Sequence, residues 1–135
     1  MNRSSVQDWL ERYSAAWESY DADAIRSLFA PDADYRYHPW DPDTEAVRGA
    51  DAIASDWLQD RDNAGTYDSH YEPYAVEGDR AVAVGWSRYY TDASKATLER
   101  EYRNAYLLAF DAEGRCTLFT EFFMETPAKY LQPAS

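Results

Sequence analysis

Apolar residues recur at helical spacing early in the chain and at strand spacing over its second half. Val6, Trp9, Leu10, Tyr13, Ala16 and Trp17 stand three or four residues apart, the period of one helix face. Ser4 or Ser5 is placed to cap that helix, with Asp8 near the positive end of its dipole. The helix is predicted to end near Tyr20. Asp21-Ala22-Asp23 then caps a second short helix whose apolar face is Ile25, Leu28 and Phe29, and Pro31-Asp32 stops it. Asp34 to His38 alternates and ends at Pro39, which predicts a short strand, followed by a loop over Trp40-Asp41-Pro42-Asp43. Gly49-Ala50-Asp51 opens a third helix with Ile53, Trp57 and Leu58 inward, and that helix fades over 61–65.

From Tyr67 onward the pattern is β. Strands are predicted over Tyr67–Val76 (interrupted by Pro73), Arg80–Tyr90, Glu101–Phe110 and Arg115–Glu125. Turns fall at Glu77-Gly78-Asp79 and Asp111-Ala112-Glu113-Gly114, and Asp92–Glu99 is a polar connection. Helices first and hairpin-linked strands afterwards argue for an α+β domain, with helices on one side of an antiparallel sheet. A strongly curved sheet covered in this way encloses a cavity, and such cavities are the default ligand sites.

Composition narrows the function classes. The chain has 135 residues, the size of one domain. Its 12 Tyr, 5 Trp and 5 Phe supply large apolar bodies with polar handles, suited to lining a cavity as well as filling a core. The formal net charge of -12 and the lack of a Lys/Arg cluster speak against nucleic acid and anionic membranes as partners. Cys116 is the single cysteine, so no intramolecular disulfide forms. The opening residues carry no secretory apolar segment, and no apolar run approaches spanning length, which reads as a cytoplasmic chain. The five glycines are scattered, so no phosphate-cradling loop is present, and there is no G-x-S-x-G elbow. His38 and His70 are the only histidines and show no metal-ligand spacing, so no metal is expected.

Three stretches carry a family resemblance. Leu28-Phe29-Ala30-Pro31-Asp32-Ala33-Asp34-Tyr35 leads into the first strand. Val47-Arg48-Gly49-Ala50-Asp51-Ala52-Ile53 starts the third helix. Phe110-Asp111-Ala112-Glu113-Gly114-Arg115 forms the last hairpin. In this order, and with two helices joined by a short Asp-containing turn, they resemble the nuclear transport factor 2-like, or SnoaL-like, superfamily of the ketosteroid isomerase type. The resemblance covers roughly residues 6–126 of a single domain spanning 1–135, with 127–135 as a short tail. It implies a cone-shaped, curved antiparallel sheet covered by three N-terminal helices and enclosing a pocket.

Laid against ketosteroid isomerase, the oxyanion tyrosine of the first helix matches Tyr13, and the second oxyanion group matches Tyr106. The general-base position falls on Tyr37 without a gap and on His38 with a one-residue gap; the two alternatives point to opposite faces. Neither is a carboxylate, which speaks against steroid isomerisation. The matched hairpin turns Phe119, Glu121 and Phe123 inward, together with Tyr102, Asn104 and Tyr106 on the neighbouring strand. Glu121 would then be a carboxyl among aromatics, with a raised pKa and the capacity for acid–base work. The competing reading pairs it structurally with Arg88, Arg103 or Asn104. Tyr13, Tyr37 and Tyr106 form either a donor set or a group of core phenols, and His38 either shuttles protons at the mouth or braces a loop.

Trp17, Trp40, Trp57 and Trp86 wall the pocket or belong to the core, and Cys116 falls on the row of the last strand that faces away. The resemblance implies cofactor-free isomerase, dehydratase, cyclase or epoxide hydrolase chemistry on a small apolar or aromatic molecule. The alternatives are a non-catalytic binding module and a dimeric structural domain. The outward row Leu118, Thr120, Phe122 and Met124 is expected to pair two copies across the outer sheet face.

Overall fold

The computed structural model describes residues 1–59, 61, 63 and 65–131. The expected fading of the third helix therefore falls partly, at 62 and 64, outside the described residues, and so does the tail from 132. Helix α1 spans Arg3–Ser19. Its cap is Asn2, earlier than the serines suggest. Asn2 Oδ1 accepts from the Ser5 N–H at 2.8 Å, and Ser5 Oγ accepts from the Asn2 N–H at 2.9 Å, a reciprocal box that satisfies two end donors at once. Asp8 consequently lies beyond the first turn. Tyr20 ends the helix in a left-handed conformation, φ 53°. Helix α2, Ala22–Ser27, is capped by Asp21 as expected.

Strand β1 covers Phe29–Arg36, so it begins five residues early and ends before Tyr37. Phe29 is a strand residue rather than part of a helix face. Pro31 does not stop the chain because it sits where the β1–β6 register shifts, between Phe29 and Asp34, a position that needs no ladder N–H. A two-residue strand β2, Val47–Arg48, leads into α3, Ala50–Gln59. Then follow β3 Tyr67–Glu77, β4 Arg80–Tyr90, β5 Leu98–Phe110 and β6 Cys116–Glu125, with a 3-10 turn at Ala128–Tyr130. Among the described residues no helix is long and apolar enough to cross a membrane.

The six strands form one curved, unclosed sheet in the order β2-β1-β6-β5-β4-β3. Every pairing is antiparallel except β1 with β6, which run parallel. That pairing brings the start of the sheet against its end and sets β1, with Tyr35, beside Glu121's strand. The concave face packs on the helices. Trp9 anchors the contact, its indole donating to the Leu28 carbonyl at 2.9 Å while its ring meets Tyr13, Phe29 and Phe110. Gly85 is required where Tyr71 crosses β4: a Cβ there would lie 1.9 Å from the His70 carbonyl oxygen and 2.7 Å from the Tyr71 ring.

Strand parity differs from expectation at Cys116. Leu118 pairs with Ala109 and Cys116 with Phe110, so Thr117 bulges and reverses the side on which Cys116 lies. The thiol is fully buried in the core, donates to the Leu118 carbonyl, and is pushed far up in pKa by burial. It is not on the outward row.

On the convex face, Glu101 is 4% exposed and accepts from Arg88 at 2.7 Å, Arg103 at 3.0 Å and Thr126 at 2.8 Å. Burial pushes its pKa up, but these donors outweigh burial and hold it below the ordinary carboxylate value. Its contribution to stability is therefore present above the unfolded-state pKa and is lost as pH falls through the folded one. Glu101→Ala is expected to destabilise the fold by about 2–3 kcal/mol at neutral pH. In urea titrations the deficit should shrink towards acid pH.

Candidate functional site

The concave face and α1 enclose a cavity of about 230 Å³, room for roughly eight waters at ~30 Å³ each. Tyr13 and Trp17, one helical turn apart on α1, form its roof. The wall alternates along the strands: Arg100, Tyr102, Asn104 and Tyr106 on β5, Ser87 and Tyr89 on β4, Glu121 and Phe123 on β6. Tyr35 ends the inward row of β1, Tyr37 follows it, and Tyr67 enters from β3. Phe119 is fully buried beneath. Its ring is stacked on Tyr35 at 4.4 Å and close to Tyr13 and Tyr106. Along β6, then, Phe119 marks the floor, Glu121 the middle and Phe123 the rim.

A chain of hydroxyl and amide groups runs along the inner wall. Tyr13 Oη donates to Tyr106 Oη at 3.4 Å. Asn104 Nδ2 donates to Tyr71 Oη at 2.9 Å and to Tyr106 Oη at 3.5 Å. Ser87 Oγ lies 2.6 Å from Tyr71 Oη and 3.0 Å from Tyr67 Oη. Tyr106 Oη thus accepts twice, and its own proton can go to Tyr71 or to the cavity. Burial pushes the Tyr13 and Tyr106 phenols well above their ordinary value, so both are neutral donors at physiological pH. Tyr37 donates a short hydrogen bond to Asp56 on α3.

Among the described residues that line the cavity, Glu121 is the one carboxylate. It pairs with Tyr106 across the β5–β6 ladder. Among the described residues no donor and no cation is bonded to it. Arg88 and Arg103, the structural partners considered from sequence, are both on Glu101 instead. Burial alone pushes its pKa up to about 7, where a carboxyl exchanges protons efficiently at neutral pH.

With this architecture in view, a family model for the SnoaL-like domain matches residues 10–119. The chain belongs to the SnoaL-like domain family, within the nuclear transport factor 2-like superfamily. A similar solved structure is that of an LEH-like epoxide hydrolase from M. tuberculosis. It shares 14% sequence identity, and the alignment covers 90% of this chain and 84% of that one at a TM-score of 0.62. At this identity the likeness speaks for the fold and not for the activity. No curated protein matches the chain.

Of the site residues expected from sequence, this SnoaL-like chain brings eight to the cavity surface: Tyr13, Trp17, Tyr37, Tyr102, Asn104, Tyr106, Glu121 and Phe123. Four lie elsewhere. Trp57 backs the wall, stacked 4.1 Å from Trp17, and Phe119 lies under the floor. Trp86 points to the convex face, because β4 alternates and Ser87 takes the inward place; Arg88 covers its ring at 3.9 Å. His38 also faces the convex groove. Its Nδ1 is 3.1 Å from Asp41, and its ring stacks on Trp40 at 4.9 Å. Tyr37, the ungapped match, takes the inward position, and His38 braces the loop. Trp40 is 75% exposed and walls no part of the cavity.

Sequence reasoning missed Tyr35, Tyr67, Tyr89, Ser87 and Arg100 as lining residues. The signal was the alternation Tyr67-x-Ser69-x-Tyr71 and Ser87-x-Tyr89. Alternation picks out a face, but the inward face is chosen only by pairing with β5.

Proposed function

We propose that the cavity is the working site of a cofactor-free acid–base enzyme acting on a small, largely apolar or aromatic molecule. Glu121 carries the proton, and the Tyr106 hydroxyl, steadied by Tyr13 and Asn104, holds a substrate oxygen. The observation behind this reading is a carboxyl with no bonded partner among the described residues, poised near neutrality, between an aromatic floor and rim and beside the Tyr106 hydroxyl. His38, assigned a proton-shuttle role from sequence, has no part in it.

Among the reactions open to such a site, hydrolytic opening of an epoxide is the first to assay, as the M. tuberculosis neighbour is an LEH-like epoxide hydrolase. The Glu121 carboxylate takes a proton from water as the water oxygen bonds to a ring carbon. The carbon–oxygen bond breaks, and the developing alkoxide is met by the Tyr106 O–H. The alkoxide then takes up the proton held by Glu121, giving a vicinal diol. The test compares the parent with Glu121→Gln on small aryl epoxides, alongside native mass spectrometry for co-purified ligand. Equal turnover by both proteins would remove Glu121 from the chemistry. A retained ligand, with no turnover of that molecule or of close chemical relatives, would favour the second reading, a binding module.

For assembly we propose a two-fold homodimer through the convex face. Phe122 and Met124 are 42% and 74% exposed there, whereas Thr120 is buried and takes no part. The groove they line also holds Val84 and Trp86 between Glu72 and Arg103, opposite charges that a two-fold copy can pair with each other. Sedimentation at micromolar concentration is expected to give the dimer mass, and Met124→Glu the monomer. A parent that sediments only as a monomer would refute this.

A further inference from the structure

Nine of the thirteen described side chains lining the cavity are aromatic, and the only carboxylate among those thirteen is Glu121. On the reading that this cavity takes a ligand, we propose that the ligand is a small organic ammonium ion, its cationic centre against the aromatic wall and facing the Glu121 carboxylate.

The faces of aromatic rings carry negative potential and attract cations, most strongly where water is excluded. The protein already uses its rim in this way: the Arg100 guanidinium lies 4.1 Å from the Tyr89 ring centre and 5.8 Å from that of Tyr102, while donating to Tyr102 Oη at 3.2 Å. No described contact joins Arg100 to Glu121. An anion entering the cavity would meet ring faces and the Glu121 carboxylate, with the only cation among the described lining residues, Arg100, held on the rings of the rim. A wholly apolar neutral molecule that displaced the water on Glu121 would give it no partner, and a charge left unpaired out of water is costly. An organic cation supplies that partner and suits the ring faces at the same time. Asn104 Oδ1, buried and unbonded among the described residues, adds a second acceptor on the same wall. The net charge of -12 draws cations towards the mouth. The cavity's volume suits a compact ion. A cation held here also keeps Glu121 ionised, which is the state that a base requires.

The proposal fixes a pH dependence. Glu121 is protonated below its raised pKa and cannot then pair with an ammonium. The buried phenols that face it stay neutral over the same range. The phenols of Tyr13 on α1, Tyr35 on β1 and Tyr106 on β5 are pushed up by burial, as are Tyr67 and Tyr71 on β3. β4 presents Ser87 and Tyr89. Arg100 stays cationic, and Asp56 of α3 stands behind Tyr37 and accepts its hydrogen bond.

The test is calorimetric titration with phenyltrimethylammonium and its neutral isostere tert-butylbenzene. Near pH 8 the ammonium is expected to bind at least about tenfold tighter, and the preference should fall several-fold by about pH 5 as Glu121 takes up a proton. Glu121→Gln should bind the isostere at least as tightly as the parent does near pH 8 and lose the preference, which also shows that the variant is folded. Equal affinities in the parent, or tighter binding of the isostere, overturn the ammonium assignment while leaving the cavity a ligand site. Binding of neither probe overturns the assignment and the ligand-site reading together.

Discussion

Glu121→Gln is expected to lose a proton-transfer rate by about 10²–10⁴-fold and yet to be more stable than the parent at neutral and mildly alkaline pH. Both effects come from one cause. Glu121 is half-buried and bonded to no donor among the described residues, and the loss of solvent around it raises its folded-state pKa to about 7, above the ordinary carboxyl value of the unfolded chain. Between those two values the folded state binds more protons than the unfolded one, so stability falls as pH rises through that window. Above it the ionised carboxylate destabilises the fold in full. A gap of this size corresponds to roughly 3 kcal/mol at about 1.4 kcal/mol per pKa unit. Water at the open mouth screens part of it, leaving about 2 kcal/mol. Glutamine keeps the shape and removes the ionisation. Denaturant titrations of both proteins near pH 8 and near pH 4 form the check. The variant should be the more stable at the higher pH, and the two should converge at the lower. A parent more stable than the variant at pH 8 would mean that a donor compensates the carboxylate.

Phe119→Ala is expected to destabilise the protein by about 3–5 kcal/mol, the largest loss of any single substitution considered. Phe119 is fully buried and its ring meets those of Trp9, Tyr13, Phe29, Tyr35 and Tyr106. Removing it empties the space under the cavity floor, where Tyr13 and Tyr106 rest with their hydroxyls aimed at the site. The milder Phe119→Leu should stay folded, lower the melting temperature by several degrees, and loosen the Tyr13–Tyr106 hydrogen bond. Turnover or ligand affinity should then drop while the Glu121 titration is retained. Unchanged melting in both variants would show that the floor is not packed as described.

Glu101 and Glu121 show why tertiary structure was needed to locate the site. Both are glutamates in strands rich in aromatics, and the sequence reading offers Arg88 and Arg103 as partners for Glu121. The β4–β5 register sets Arg88 opposite Glu101, and both arginines bond it. The residue left without a cation is thereby Glu121. The inward orientation of Glu121, Phe123, Tyr102, Asn104 and Tyr106 was legible once the last hairpin was matched to its family. The orientation of Trp86 was not, because nothing in β4 itself distinguishes its two faces.

The resemblance to ketosteroid isomerase pointed to the two tyrosines that meet over the floor, and the sequence by itself determined the α+β class, the three helices, the four long strands and the family. These follow from hydrophobic period, turn chemistry and motif order, all of which act within a few residues. Only the tertiary structure decided the rest. It turned Cys116 inward through a bulge at Thr117, set β1 parallel to β6, placed Tyr37 rather than His38 at the cavity, and gave both arginines to Glu101. Each of these depends on which residues from distant segments pair, and in a strand a shift of one residue exchanges the buried face for the exposed one.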